Sequence, residues 1–362
     1  MFRLFLQSFV TFFEDLPDLH VIAAGSLLEF LLAEHAFSMP VGRIEYLFLG
    51  PLSFEEFLGG TGQGKLVNYI KEYSFTKLIP EIIHEKLLKF VKKYFVIGGM
   101  PAVVNQFGAD EDYKGALREQ KNLLQTYIDD FNKYQNRVDT ARLQKVFKNF
   151  PLQIGRKVKY VNIDRLEKAK DLSHAINLLN LARVIFSVKH SSANGVPLGA
   201  EVNDADFKAL FLDVGLMQSL LTLKPSDLLN SEDLIMINSG SLAEQFVGQH
   251  LLYNCEFYEK PELFYWNREK KNSSAEIDYL QQIDGSIVPV EVKAGKTGSL
   301  RSLHLFVFEK KANIALRIYS GEAESASLNT LIPGEEQRNF TLISIPFYLI
   351  GQINRLLREN NN

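Results

Sequence analysis

The chain has a single cysteine, Cys255, in 362 residues. No intrachain disulfide can form, and zinc sites built on several thiolates are excluded. A reducing, cytoplasmic setting is therefore expected. Long apolar runs are also missing. The nearest, His20 to Leu32, is interrupted by Gly25, Ser26 and Glu29. It falls short of the about 18–20 residues of a membrane span, so no membrane partner is expected. The start, Met1-Phe2-Arg3 and the apolar residues after it, loosely resembles a signal peptide. Gln7 and Ser8 break that run, and Glu14 and Asp15 flank it, which fits an amphipathic helix better. The histidines, His20 and His84 among them, show no metal-ligand spacing. There is no internal repeat.

What is present is the composition of an ordinary globular chain, 46% hydrophobic and 23% charged. That is enough for more than one packed core, and the length fits two or three domains. The net charge of −3 is unevenly spread. Residues 133–170 hold eleven Lys or Arg against Asp139, Asp164 and Glu167, a local excess of eight positive charges.

The opening reads as a helix (Phe2–Glu14), a strand (Leu19–Ala24), a helix (Leu27–Glu34) and a second strand (Ile44–Leu49). This suggests part of a parallel α/β sheet. Ser53, with Glu56 three residues on, is a capping-box start. From Asn68 to Tyr134 the apolar spacing is helical, broken at Gly98-Gly99-Met100-Pro101. Two helices follow, Asn162–Lys170 and Leu172–Ala182, then strand-like Val184–Lys189 and Phe207–Leu212. Helix, helix, hairpin is the order of a winged helix. Winged helices bind DNA through Lys and Arg, and they also serve as protein-docking modules. After a loop, Lys224 to Asn238, comes a helix (Ser241–Leu252), strands Leu263–Asn267, Glu276–Gln281 and Ile287–Lys293, a helix (Leu300–Lys311) and a strand (Ile314–Tyr319). Arg355 to Asn362 reads as a frayed polar end. Tyr265 and Trp266 read as core.

The chemistry concentrates in that last region. Asp284-Gly285 is a hairpin signal. Glu291 and Lys293 are two apart on a strand and share a face, with Val290 and Val292 on the other. Asp278 on the partner strand can reach the same face, and Glu244 lies on the preceding helix. Carboxylate oxygens suit Mg2+ or Mn2+. Such an ion polarises a phosphodiester, and a lysine can position water or stabilise developing charge. Glu244, Asp278 and Glu291 are thus the expected metal ligands and, with Lys293, the expected catalytic set. An outward-facing cross-strand charge pair would give the same Glu291–Lys293 pattern, and a retained fold with lost catalysis would look identical.

Asp278, Glu291-Val292-Lys293 and Glu244, in a helix–strand–strand–strand–helix–strand order over about residues 240–320, resemble the PD-(D/E)XK nuclease superfamily. A wider resemblance is carried by Val21-Ile22-Ala23-Ala24-Gly25-Ser26, Pro40-Val41-Gly42-Arg43, Leu49-Gly50-Pro51-Leu52-Ser53-Phe54-Glu55-Glu56-Phe57, Gly98-Gly99-Met100-Pro101, Phe211-Leu212-Asp213-Val214-Gly215-Leu216 and Gly240-Ser241-Leu242-Ala243-Glu244. Together they resemble a family of bacterial and archaeal AAA-type ATPases with a winged-helix segment and a C-terminal nuclease-like domain of unassigned function. The resemblance implies an α/β multidomain chain. Residues 1–66 would be the C-terminal part of an ATPase core, 67–135 a helical lid-like segment, 136–225 a winged helix and 239–325 a restriction-endonuclease-like αβββαβ domain, with 326–362 as a tail. It implies Ser26 at the sensor position and Arg43 at the arginine-finger position.

The family's Walker A and Walker B motifs have no counterpart here, so a truncated family member that does not hydrolyse ATP by itself is expected. Gly59-Gly60-Thr61-Gly62-Gln63-Gly64-Lys65 fits GxxxxGK, yet a helix rather than a strand is expected before it and Leu66 follows the lysine. The expected partners are DNA along residues 133–170 and an upstream ATPase fragment or a second copy of the chain. Nucleic-acid processing with a divalent metal is the leading function. A non-catalytic ATPase subunit, or a DNA- or protein-binding module on a degenerate nuclease fold, is the alternative.

Overall fold

The computed structural model describes residues 12, 14–16, 18–22, 42–134, 138–222, 239–268 and 275–359. Ser26, most of the helix Phe2–Glu14, the helix Leu27–Glu34 and the whole loop Lys224 to Asn238 lie outside them. Among the described residues are twelve α-helices and one mixed eight-stranded sheet. No helix among them is long and apolar enough to cross a membrane.

From Phe54 to Leu181 the described residues are mostly helical. α1 (Phe54–Gly60) opens with the expected capping box: Ser53 Oγ accepts from the Glu56 N–H, and the Glu56 carboxylate accepts from the Ser53 N–H at 2.7 Å. α2 (Gly64–Glu72) follows after three residues. The GxxxxGK stretch therefore sits between two helices, with no strand before it to aim a phosphate loop. α3 (Glu81–Ile97), α4 (Pro101–Phe107) and α5 (Tyr113–Asp130) fill the helical region, with Gly98 at a positive φ of 77° ending α3. α6 (Thr140–Asn149), α7 (Tyr160–Ile163) and α8 (Ala169–Leu181) lead into a hairpin of β1 (Ile185–Ser191) and β2 (Val202–Phe211). After α9 (Val214–Leu220) the chain runs through α10 (Ser239–Leu252), β3 (Phe264–Asn267), β4 (Glu276–Ile283), β5 (Ser286–Val292), α11 (Arg301–Lys310), β6 (Ile314–Tyr319), β7 (Glu324–Asn329), β8 (Asn339–Pro346) and α12 (Ile353–Glu359).

The strand order is β2-β1-β3-β4-β5-β6-β8-β7. β1 runs parallel to β3, and β5, β6 and β8 are mutually parallel. The remaining neighbours are antiparallel. Asp284-Gly285 makes the two-residue turn between β4 and β5, with φ of 47° and 77°, the primed geometry that an Asp-Gly pair adopts at low cost. β5 is buried along most of its length because α10 and α11 cover it on its two sides. α10 is anchored by Phe246, whose ring meets Phe54, Tyr94, Phe95 and Phe347 within 6.3 Å. Truncating such a ring to Ala costs about 3–5 kcal/mol.

Four expectations need correction. Asn162–Lys170 is not one helix: a single turn, Tyr160–Ile163, ends at the extended Asp164, and helix resumes only at Ala169. Residues 44–49 and the described part of Leu19–Ala24, residues 19–22, are not strands. A strand requires a ladder with a neighbour, and among the described residues no ladder includes 44–49; the Phe48 N–H donates to the Phe257 carbonyl at 2.8 Å. The hairpin expected as the wing of a separate module forms, but its β1 edge pairs with β3 and extends the C-terminal sheet. Residues 326–362 are not a tail. Through Glu359 they form most of β7, all of β8 and α12, whose Ile353, Leu356 and Leu357 are buried.

Candidate metal and phosphodiester site

Three elements carry the candidate carboxylates. Asp278 is on β4, and its Oδ2 accepts from the Val292 N–H of β5 at 2.9 Å, fastening the two strands where their backbone ladder ends. Glu291 and Lys293 share a face as expected, joined by a 2.6 Å ion pair. Glu244 comes from α10, held over the sheet by two contacts. The Tyr279 hydroxyl donates to the Glu244 carbonyl at 2.8 Å. Gly248, one turn on, lets the Tyr279 ring approach, since a Cβ there would stand 2.5 Å from its hydroxyl. Gln245, beside Glu244, bonds both the N–H and the carbonyl of Phe211 at 2.9 and 2.7 Å, so α10 also grips the end of β2.

That grip brings in a residue the sequence reading passed over. Lys208 of β2 is 1% exposed. Its Nζ stands 3.0 Å from Glu244, 2.9 Å from Glu276 and 3.4 Å from Asp278. The rings of Tyr265 and Tyr279 flank it at 5.9 and 5.8 Å. Burying an ammonium costs several kcal/mol. Three carboxylates within 3.4 Å supply the opposing charge that keeps it ionised. Burial opposes the Lys208 charge, but the carboxylates hold its pKa well above the ordinary lysine value. The signal was legible in hindsight: a lysine inside the apolar run Phe207-Lys208-Ala209-Leu210-Phe211 must find an acid. Glu276, two residues before Asp278 on the same face, completes the set.

Four carboxylates thus face two lysines, an excess of two negative charges when all are ionised. The strain shows in the pKa values. Glu244 is pushed up to about 7, first by burial and then by Asp278, against the pull of Lys208. Glu291 is pushed up to about 7 by burial and by Asp278, against the pull of Lys293. Glu291 Oε2 is buried without a hydrogen-bond partner. The oxygen donors, the orphaned Oε2 and the charge excess suit a hard divalent cation. Among the described residues, however, no three His, Cys, Asp or Glu side chains stand in a ready metal cage. The donor types fit the ion, while Lys208 stands against two of the three expected ligands.

The other expected residues lie apart from this cluster. Arg43 pairs with Glu14 at 2.5 Å. Within the basic stretch, Arg142 pairs with Glu167 at 2.9 Å, Lys145 with Asp164 and Lys157 with Asp206 at 2.5 Å, so part of the local charge is already balanced. One part of that stretch reaches the site: Gly155, at a positive φ of 77°, passes so close to Glu244 that a Cβ would meet its carboxylate at 3.0 Å. Lys157 then bridges to Lys208 in backbone pairing. Tyr265 and Trp266 are core, as expected, with Trp266 edge-on to Phe306 at 5.1 Å.

Family models match two segments. Residues 88–227 match a domain of unknown function (DUF8612), and residues 239–344 match a second domain of unknown function (DUF4143). No curated protein and no solved structure matches the chain at a significant level. Glu244, Asp278, Glu291 and Lys293 all fall in the second segment, and Lys208 in the first. The second match runs through most of β8, in keeping with a sheet that does not stop at residue 325.

Proposed function

We propose that this chain processes nucleic acid through a divalent-metal phosphodiesterase site of the PD-(D/E)XK kind, built from Glu244, Asp278, Glu291 and Lys293. The convergence of Glu244, Asp278 and the Glu291–Lys293 pair from α10, β4 and the end of β5 carries this reading. Glu244, Asp278 and Glu291 would hold Mg2+ or Mn2+. Bound there, the ion supplies Lewis-acid charge to polarise a phosphodiester and makes hydroxide available near neutral pH. Lys293, on the strand face of Glu291, donates to an oxygen of the scissile phosphate as its charge grows.

Residues 136–225 serve in this reading as a winged-helix-like arm that binds the polyanion. The Gly155–Lys159 segment, basic at Arg156, Lys157 and Lys159, runs from beside Glu244 towards β2 and would guide the phosphate backbone to the carboxylates. The AAA-type ATPase resemblance supplies the wider setting for this site. The test is purified full-length chain with Mg2+ or Mn2+ on single- and double-stranded DNA and RNA. Cleavage lost in Asp278→Asn and Lys293→Ala is expected. Intact substrates in every arm would overturn the reading.

One observation favours a second reading. Lys208 already neutralises Glu244 and Asp278, as expected of a nuclease fold kept for binding, in an ATPase subunit or a DNA- or protein-binding module. That reading expects DNA binding unaffected by Asp278→Asn.

A further inference from the structure

We infer that Lys208 is a resident cation that competes with the divalent metal, so that metal binding at Glu244 and Asp278 requires the Lys208 ammonium to withdraw from between them. The inference rests on the metal reading above and adds to it a control element outside the motif.

The geometry supports exchange over coexistence. The ammonium is within 3.0 Å of Glu244 and 3.4 Å of Asp278, and within 2.9 Å of Glu276. A metal bound to the same oxygens at its usual distance of about 2.1 Å would stand within a few ångströms of that ammonium, and like charges so close repel strongly. Glu276 is the natural place for the ammonium to go. Its side chain is 38% exposed, so Lys208 can keep this partner while releasing the two buried ones. Glu291 marks where the incoming charge is needed: it is buried, its Oε2 lacks a hydrogen-bond donor, and Lys208 makes no ion pair with it. The same arrangement accounts for the lack of a ready metal cage among the described residues. The carboxylates are set around an ammonium, and that setting must relax before they can share one ion.

Mn2+ binding to the full chain, followed by the spin-resonance signal of the free ion, tests this directly. Lys208→Met keeps the stem and removes the charge, so its affinity should rise at least tenfold over the unsubstituted chain. Lys208→Arg should bind no more tightly than the unsubstituted chain. Binding by the unsubstituted chain with no gain in Lys208→Met overturns the competition and leaves the metal reading standing. Binding by neither overturns both. A second readout needs no variant to fold: labelling lysines of the unsubstituted chain with an acylating reagent, followed by mass spectrometry. Lys208 should be protected without Mn2+ and become reactive with it. Continued protection at saturating Mn2+ overturns the inference.

Discussion

The two sides of the candidate site differ in kind. The carboxylate side is largely local: Asp278, Glu291 and Lys293 lie within a single hairpin, and the strand alternation that defines the hairpin also sets their facing, with Glu244 joining them from α10. The lysine side is non-local. Lys208 reaches its partners from a strand placed there only because the β1–β2 hairpin joins the sheet through β3, and because Gln245 of α10 ties down Phe211. Charged groups gathered on one hairpin are held by a few bonds. A counter-ion brought in from another segment depends on the whole sheet. The first side is the one expected to do chemistry, and the second is expected to govern stability and access.

The sharpest way to break that division is at the hairpin. Asp278→Asn keeps the size and can still accept from Val292, but removes a charge from the metal set. Cleavage should fall on the order of 10³-fold, while the urea midpoint should move less than in Lys208→Met, because Glu244 and Glu276 still pair with Lys208. Loss of folding together with activity would show that the carboxylate side is structural as well.

On the lysine side the order should reverse. Lys208→Met in metal-free protein leaves buried carboxylates without their shared counter-ion. Removing one partner of a buried ion pair costs about 3–5 kcal/mol, and urea unfolding would measure it. Glu276→Gln should cost less than about 1 kcal/mol, because this partner keeps contact with water. Equal losses in the two variants would contradict the distinction between buried and rim partners.

The pH dependence separates the two ends of α10. Glu244 and Glu291 are raised to about 7. Their contribution to metal-free stability is complete below their ordinary values near 4.5 and is lost as pH rises through 7. His250 behaves oppositely. Burial lowers it to about 4; its Nε2 accepts from the Phe54 N–H at 2.9 Å, which leaves Nδ1 to donate to the Phe246 carbonyl. Its contribution is present above about 6.5 and lost as pH falls through 4. Between about 4.5 and 6.5 the two effects oppose each other as pH rises, the carboxylates lowering stability and His250 raising it. In urea midpoints taken from pH 4.5 to 8.5, Glu291→Gln should shift the slope against pH in that window upward and His250→Gln should shift it downward. Slopes unchanged by these substitutions would place the titrating groups elsewhere.

The same local and non-local contrast explains what could be read from the chain. The β4–β5 hairpin was legible because Asp284-Gly285 and the alternation around Val290 and Val292 act within a dozen residues. The capping box at Ser53 was legible for the same reason. Lys208 was visible as an anomaly in an apolar strand, but its partners are 36 to 70 residues away, and no local pattern pairs them. The last strands were missed for different reasons. β7, Glu324–Asn329, is a largely polar edge strand, while β8 carries the apolar run Leu342-Ile343-Ser344-Ile345 that marks a buried strand and merited that reading. The separateness of the winged-helix-like segment rested on element order alone, which does not say what the free edge of a hairpin will meet.

The mildest expected effect tests whether the basic segment belongs to the site or merely passes it. Arg156→Ala and Lys159→Ala lie on the stretch that begins beside Glu244. If they contact phosphates, each should weaken DNA binding to a similar extent whatever the sequence. Each should also lower the slope of log affinity against log salt by about one. Lys157→Ala should do less, because Lys157 already pairs with Asp206 at 2.5 Å and releases fewer counterions on binding. An unchanged slope in all three would detach the basic stretch from the carboxylates and leave the hairpin as the part of the chain that meets a phosphodiester.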